Sequence, residues 1–157
     1  MKTYTSTSGL YLTKNSIAYA DFLNTMTWDC FCTLSTKYSL TMNQARRAAD
    51  RLHSFLNTKY GNARIFWVAE PFDSRVGYHI HALVSISPSS IVKDIAEVIK
   101  KAWQVVTKGG NGKSYNNTVI RPYDSNLGAN YYVSKYMLKN NADYDILLEN
   151  SMANNQS

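Results

Sequence analysis

Between Trp28 and Thr36 the run WDCFCTLST crowds aromatic, β-branched and small apolar residues together, the composition of a strand. The period then changes. Met42, Ala45, Ala48, Ala49, Leu52, Phe55 and Leu56 recur at helical spacing, Thr41 with Gln44 forms a capping box, and Gly61 stops the run. An amphipathic helix is predicted there, with Arg46, Arg47, Asp50 and Arg51 on its polar side and Arg46 one turn from Asp50. RIFWVAE (64–70) and GYHIHALVSI (77–86) read as two strands, and the short PFDSRV between them predicts an antiparallel hairpin. Pro88 and Ser89 precede a second amphipathic helix carrying Ile91, Val92, Ile95, Val98, Ile99, Ala102, Trp103 and Val106. YNNTVIRPY (115–123) predicts a further strand, and Ser125 a cap for a last helix through NLGANYYVSKYMLK. This order points to an α+β fold with a central antiparallel sheet of about five strands and flanking helices.

Composition narrows the picture. The 157 residues, 45% apolar and 18% charged, fit one packed domain and leave no room for a fused motor. Residues 21–140 read as that domain, 1–20 as an N-terminal extension rich in Ser, Thr and Tyr, and 141–157 as an Asn-rich, mildly acidic tail or fraying helix end. All 17 basic residues but only eight of the 11 acidic ones precede residue 141, a formal charge of +9 there against +6 for the whole chain. With 12 tyrosines, that charge suggests a nucleic-acid partner. No apolar run reaches the roughly 18 residues of a membrane span, and the N-terminus has no continuous apolar core of a leader. A cytoplasmic protein is expected. Cys30 and Cys32 share one side of a strand, which suits two reduced structural residues better than a disulfide or a zinc site. KGGNGKS (108–114) has the look of a phosphate-binding loop, but Thr107 stands where the pattern needs Gly and a helix precedes it where a strand is required.

Two groups of residues carry candidate chemistry. On a strand His79 and His81 project from one face, about 7 Å apart, while Tyr78, Ile80 and Ala82 face the other way. A pair of imidazoles so placed can clamp a divalent ion, or can be structural. Glu70 ends the preceding strand, and the hairpin returns one of the histidines to its neighbourhood. Two His and one carboxylate leave coordination positions open and suit Mn²⁺ or Mg²⁺ more than a closed zinc site. Alone, Glu70 is an ordinary strand-end carboxylate. On the last helix Tyr132, Lys135, Tyr136 and Lys139 fall on one stripe, with Val133 and Met137 on another face. The bland reading is an amphipathic helix with solvated lysines. The reactive one is a phenol whose ionised form a neighbouring ammonium and a metal favour.

FCTLST, GYHIHALV and YVSKY, in that order, resemble the three motifs of the HUH-type rolling-circle replication initiators, the nicking proteins of small plasmids, circular single-stranded DNA viruses and phages. The resemblance spans residues 28–140. It implies a split βαβ fold, a divalent metal held by His79, His81 and Glu70, a nucleophile at Tyr132 and an accompanying Lys135. Tyr136 corresponds to the second tyrosine of the two-tyrosine branch, and Tyr131 leaves the register open by one. The activity implied is metal-assisted transesterification of single-stranded DNA at a replication origin, giving a 5′-phosphotyrosine and a free 3′-hydroxyl. A separate host helicase, a bacterial host and a plasmid or phage source follow from the same resemblance. Phosphate contacts are assigned to Lys37, Arg46, Arg47, Arg51, Arg64, Arg121 and Lys139. Two other readings compete: a single-tyrosine transposase of the same class, and a non-enzymatic binding module stacking bases on Phe31, Phe66 and Tyr78.

Overall fold

The computed structural model describes residues 14–87, 94–107, 118–128 and 142–149. In chain order they form α1 (Lys14–Asn24), β1 (Cys30–Leu34), α2 (Met42–Tyr60), β2 (Asn62–Pro71), β3 (Tyr78–Ser87), α3 (Ile95–Val106), β4 (Val119–Pro122) and β5 (Asp143–Leu147). The five strands make one sheet in the order β4-β1-β3-β2-β5, with every neighbouring pair antiparallel. Its first four positions are the split βαβ arrangement that the order of elements predicts, and the fold is α+β.

Period-two alternation divides the sheet into two faces. Cys30, Cys32 and Leu34 of β1, Ile65, Trp67 and Ala69 of β2, and Ile80, Ala82 and Val84 of β3 meet α2 and α3 in the larger core. The alanines at 45, 48 and 49 let α2 lie close to the sheet, and its capping box is formed as expected, with Thr41 accepting from Gln44 N–H and Gln44 reaching back. Trp103 is fully buried, and its indole N–H donates to Ser35 O at 2.9 Å, so its polar atom does not go unsatisfied. Both cysteines are free and buried. Burial pushes the Cys30 thiol up to about 11 and Cys32 well above its ordinary value, which makes both poor nucleophiles.

Two elements depart from the sequence reading. Helix α1 starts inside the stretch expected as an extension, and Ala20 and Leu23 are fully buried against Trp28, Phe66, Val68 and Leu83 on the second face. Strand β5 occupies the expected tail, pairing with β2 from Ala69↔Asp143 to Ile65↔Leu147. Its acidic residues are the reason it looks like a tail. Asp143 and Asp145 share the helical face, where Arg46 of α2 meets both, at 2.8 and 3.0 Å. Arg46 also lies over the Trp67 ring at 5.1 Å, so its partners are distant in sequence and the one-turn pairing with Asp50 is superseded. Arg46→Ala should therefore loosen β5. The side chain is 39% exposed, so solvent screening limits the loss to on the order of 1 kcal/mol, or roughly 2–4 °C in melting temperature by calorimetry. A smaller difference from the parent in high salt would mark the ionic share.

A last difference concerns the turn after β4. Asp124, not Ser125, caps it, its carboxylate accepting from Asn126 N–H at 2.9 Å and its carbonyl from Leu127 and Gly128. The helix start expected at Pro88 and Ser89, the 108–114 loop, the first residues of the expected 115–123 strand, and the segment bearing Tyr131, Tyr132, Lys135, Tyr136 and Lys139 lie outside the described residues.

Candidate metal centre

The second face of the sheet carries the candidate site. In the β2–β3 register Glu70 stands directly opposite His79, and Val68 opposite His81, so the two-residue step on β3 brings both imidazoles beside one carboxylate. Glu70 Oε1 lies 2.8 Å from His79 Nε2 and 2.9 Å from His81 Nε2. All three side chains are largely shielded, with relative exposures of 4%, 13% and 8%. Among the described residues this is the one group of three His, Cys, Asp or Glu side chains whose donor atoms converge, all within 4.8 Å of one another.

The surroundings favour a cation between these donors. A carboxylate this deeply buried is costly unless charge compensates it. Imidazole Nε2 and carboxylate oxygen are donors that suit a small divalent ion, and three of them leave positions open for substrate oxygens. The two histidines are held differently. Thr33 of β1, the cross-strand partner of His81, places its Oγ1 3.3 Å from His81 Nδ1, and Phe31 stacks its ring parallel to His81 at 6.0 Å. The hydroxyl can donate to a bare Nδ1 or accept from a protonated one, so it serves the imidazole whether or not Nε2 binds an ion. His79 Nδ1 is buried with no hydrogen-bond partner among the described residues. Its ring instead meets His81 edge-on at 4.7 Å and Phe72 at 4.5 Å.

The cations assigned to phosphate are scattered relative to this centre. Arg121 of β4 pairs across from Phe31, on the triad's face, and is exposed. Arg64 shares that face but sits about 20 Å from Glu70 along β2, bound to Glu149 at 3.0 Å and lying over Trp28. Arg46, Arg47 and Arg51 belong to α2, which packs on the opposite face, and Lys37 is exposed in the loop after β1. One cation near the triad was not singled out by sequence. Arg75 lies in the loop between β2 and β3, its guanidinium 4.0 Å from the Phe72 ring centroid. Its position inside the hairpin that carries both ligand strands is the signal that could have found it.

The stacking surface required by the binding-module reading is not built. Phe66 is 2% exposed beneath α1, and Tyr78 packs against the core on the other face.

Comparison with curated proteins and with solved structures gives no match. A family model does match: that of Replication-associated protein ORF2/gene 2 protein covers residues 29–141, from just before β1 through the triad and the Tyr132–Lys139 segment. The chain belongs to this family. As a member of these replication-associated proteins it is a protein of DNA replication, and the HUH-type motifs read from its sequence fit that membership. The family span omits α1 and β5, the two elements that the sequence pattern left unpredicted. Among the described residues of this replication-associated protein, no helix is long and apolar enough to cross a membrane.

Proposed function

We propose that this protein is a rolling-circle replication initiator that nicks and rejoins single-stranded DNA at an origin through a covalent tyrosine intermediate. The observation that supports it is the convergence of Glu70, His79 and His81 on one sheet face in a chain of a replication-associated family. In this reading the three side chains hold a divalent ion, Mn²⁺ or Mg²⁺. Such an ion, when bound, supplies Lewis-acid polarisation of the scissile phosphate and neutralises its developing charge.

The remaining chemistry belongs to the chain. Tyr132 Oη attacks phosphorus, a tyrosyl–phosphate bond forms, and the bond from phosphorus to the 3′-oxygen breaks. The phenol gives up its proton and the departing 3′-oxygen gains one, which leaves a 5′-phosphotyrosine and a free 3′-hydroxyl. Lys135, one turn along, favours the phenolate and the charged phosphate. The energy of the cleaved bond is kept in the tyrosyl linkage, so a later 3′-hydroxyl reverses the step and joins strands. Tyr136 accepts the second strand while the first is still held. Arg121 and Lys139, with the other assigned cations, contact phosphates, and a separate helicase in the cytoplasm of a bacterial host opens the duplex.

Incubation with randomised single-stranded DNA and Mn²⁺, followed by sequencing of the ends, tests this. The expected result is a small set of sites, each with a free 3′-hydroxyl and a protein-blocked 5′ end. Cleavage with free 5′ ends, or no cleavage of any sequence with either ion, would discard the proposal.

A further inference from the structure

The histidines of the triad differ in what orients them. His81 has a hydroxyl at its second nitrogen, whereas His79 has none among the described residues and is shielded on its flank by the Phe72 ring, 4.5 Å away and tilted by 32°. A metal-binding imidazole ordinarily takes its orientation from a hydrogen bond at the other nitrogen. Where that bond is missing, ring packing is what remains to fix its two side-chain torsions.

Phe72 is itself held firmly. Arg75 lies over its ring at 4.0 Å and donates from Nη2 to Thr36 O at 3.0 Å. The loop closes through Phe72 N–H donating to Gly77 O at 2.9 Å. It is then fastened to the segment before α2 by Ser39 Oγ donating to Val76 O at 2.9 Å and Tyr78 N–H to Leu40 O at 3.0 Å. The closeness of this seam depends on Gly77. Its φ of +112° disfavours any side chain, and a Cβ there would sit 3.0 Å from Ser39 Cβ and 3.1 Å from Ser39 Cα. The loop thus has little freedom to carry Phe72 away from His79.

We propose that Phe72 is the positioning residue of His79, and that the clamped 72–77 loop thereby sets the affinity of the triad for its metal. The inference rests on the metal reading of the triad given above. Phe72 touches no donor atom in this role. It narrows the range over which His79 Nε2 can turn away from Glu70, which lowers the ordering cost of binding an ion.

The test is Mn²⁺ binding by the full chain without DNA, followed by the electron paramagnetic resonance of free Mn²⁺, well below the melting temperature of each variant. Phe72→Ala is expected to weaken binding by about tenfold or more, the range seen when an outer partner of a metal-binding histidine is lost. Phe72→Leu, which keeps apolar bulk without a flat ring, should weaken it too, and Phe72→Tyr should restore it to within about twofold. Circular dichroism confirms that each is folded. If Phe72→Ala does not fold, Phe72→Leu decides alone. Parent-like affinity in a folded Phe72→Leu or Phe72→Ala would overturn the positioning role while leaving the metal reading intact. A parent chain that binds no Mn²⁺ would remove both.

Discussion

Tyr132→Phe is expected to abolish the covalent protein–DNA adduct and to lower strand cleavage by at least about a thousandfold, since removing a nucleophile removes the reaction path and not merely a contact. The measurement is denaturing electrophoresis of a labelled single-stranded oligonucleotide after incubation with Mn²⁺, where the parent chain gives a shifted band. Binding of the same oligonucleotide should change by less than about twofold, because cations dominate affinity for single strands. Three tyrosines compete for the role. Tyr132 and Tyr136 share a stripe with Lys135 and Lys139, whereas Tyr131 is rotated away by one residue, about 100° on a helix. A single Tyr136→Phe change should therefore leave the first adduct intact and lower only repeated cleavage and rejoining. A full adduct from Tyr132→Phe would move the nucleophile to Tyr131 or Tyr136 and unseat the order of events proposed above.

The triad was legible in the sequence because strands impose short-range rules. Side chains two apart share a face, and a six-residue connection between two strong strand patterns admits few registers, so Glu70 had to return close to His79 or His81. The direct Glu70↔His79 pairing is one of those registers. Helix α2 was equally plain, since its capping box and small-residue face are written locally. What stayed hidden depends on partners far along the chain. Arg46 looked like a phosphate contact because its nearest acid was Asp50, and only the sheet brings Asp143 and Asp145 to it. Those two aspartates in turn made β5 look like a solvated tail. The polarity of a position announces exposure only when no opposite charge waits across the fold. Helix α1 carries just two fully buried residues in eleven, Ala20 and Leu23, too few to mark a face before Phe66 and Leu83 are known to need covering.

Glu70→Gln is expected to cost at least about a hundredfold in Mn²⁺ affinity, and cleavage at limiting Mn²⁺ should fall in proportion. The argument starts from charge. Glu70 is 3% exposed and is the one carboxylate at the convergence point, so an ion entering there loses water and must be repaid by that negative charge. Glutamine keeps the shape and an acceptor oxygen for the imidazoles, but not the charge. Loss of an outer-shell partner already weakens metal binding by up to about a hundredfold, and loss of a ligand's charge should reach or exceed that. A second readout separates this from damage to the fold. An ion that binds only the folded chain, at a hundred times its dissociation constant, adds about 2.7 kcal/mol, which for a chain of this size raises the melting temperature by roughly 5–10 °C. The parent should show that rise with Mn²⁺ and lose it on chelation, whereas Glu70→Gln should melt at one temperature in both buffers. His81→Ala should behave in the same way, because it removes a donor that Thr33 and Phe31 hold in place. A Glu70→Gln chain that kept the Mn²⁺-dependent rise and cleaved at the parent's rate would remove the carboxylate from the metal set and leave the histidine pair to act without it.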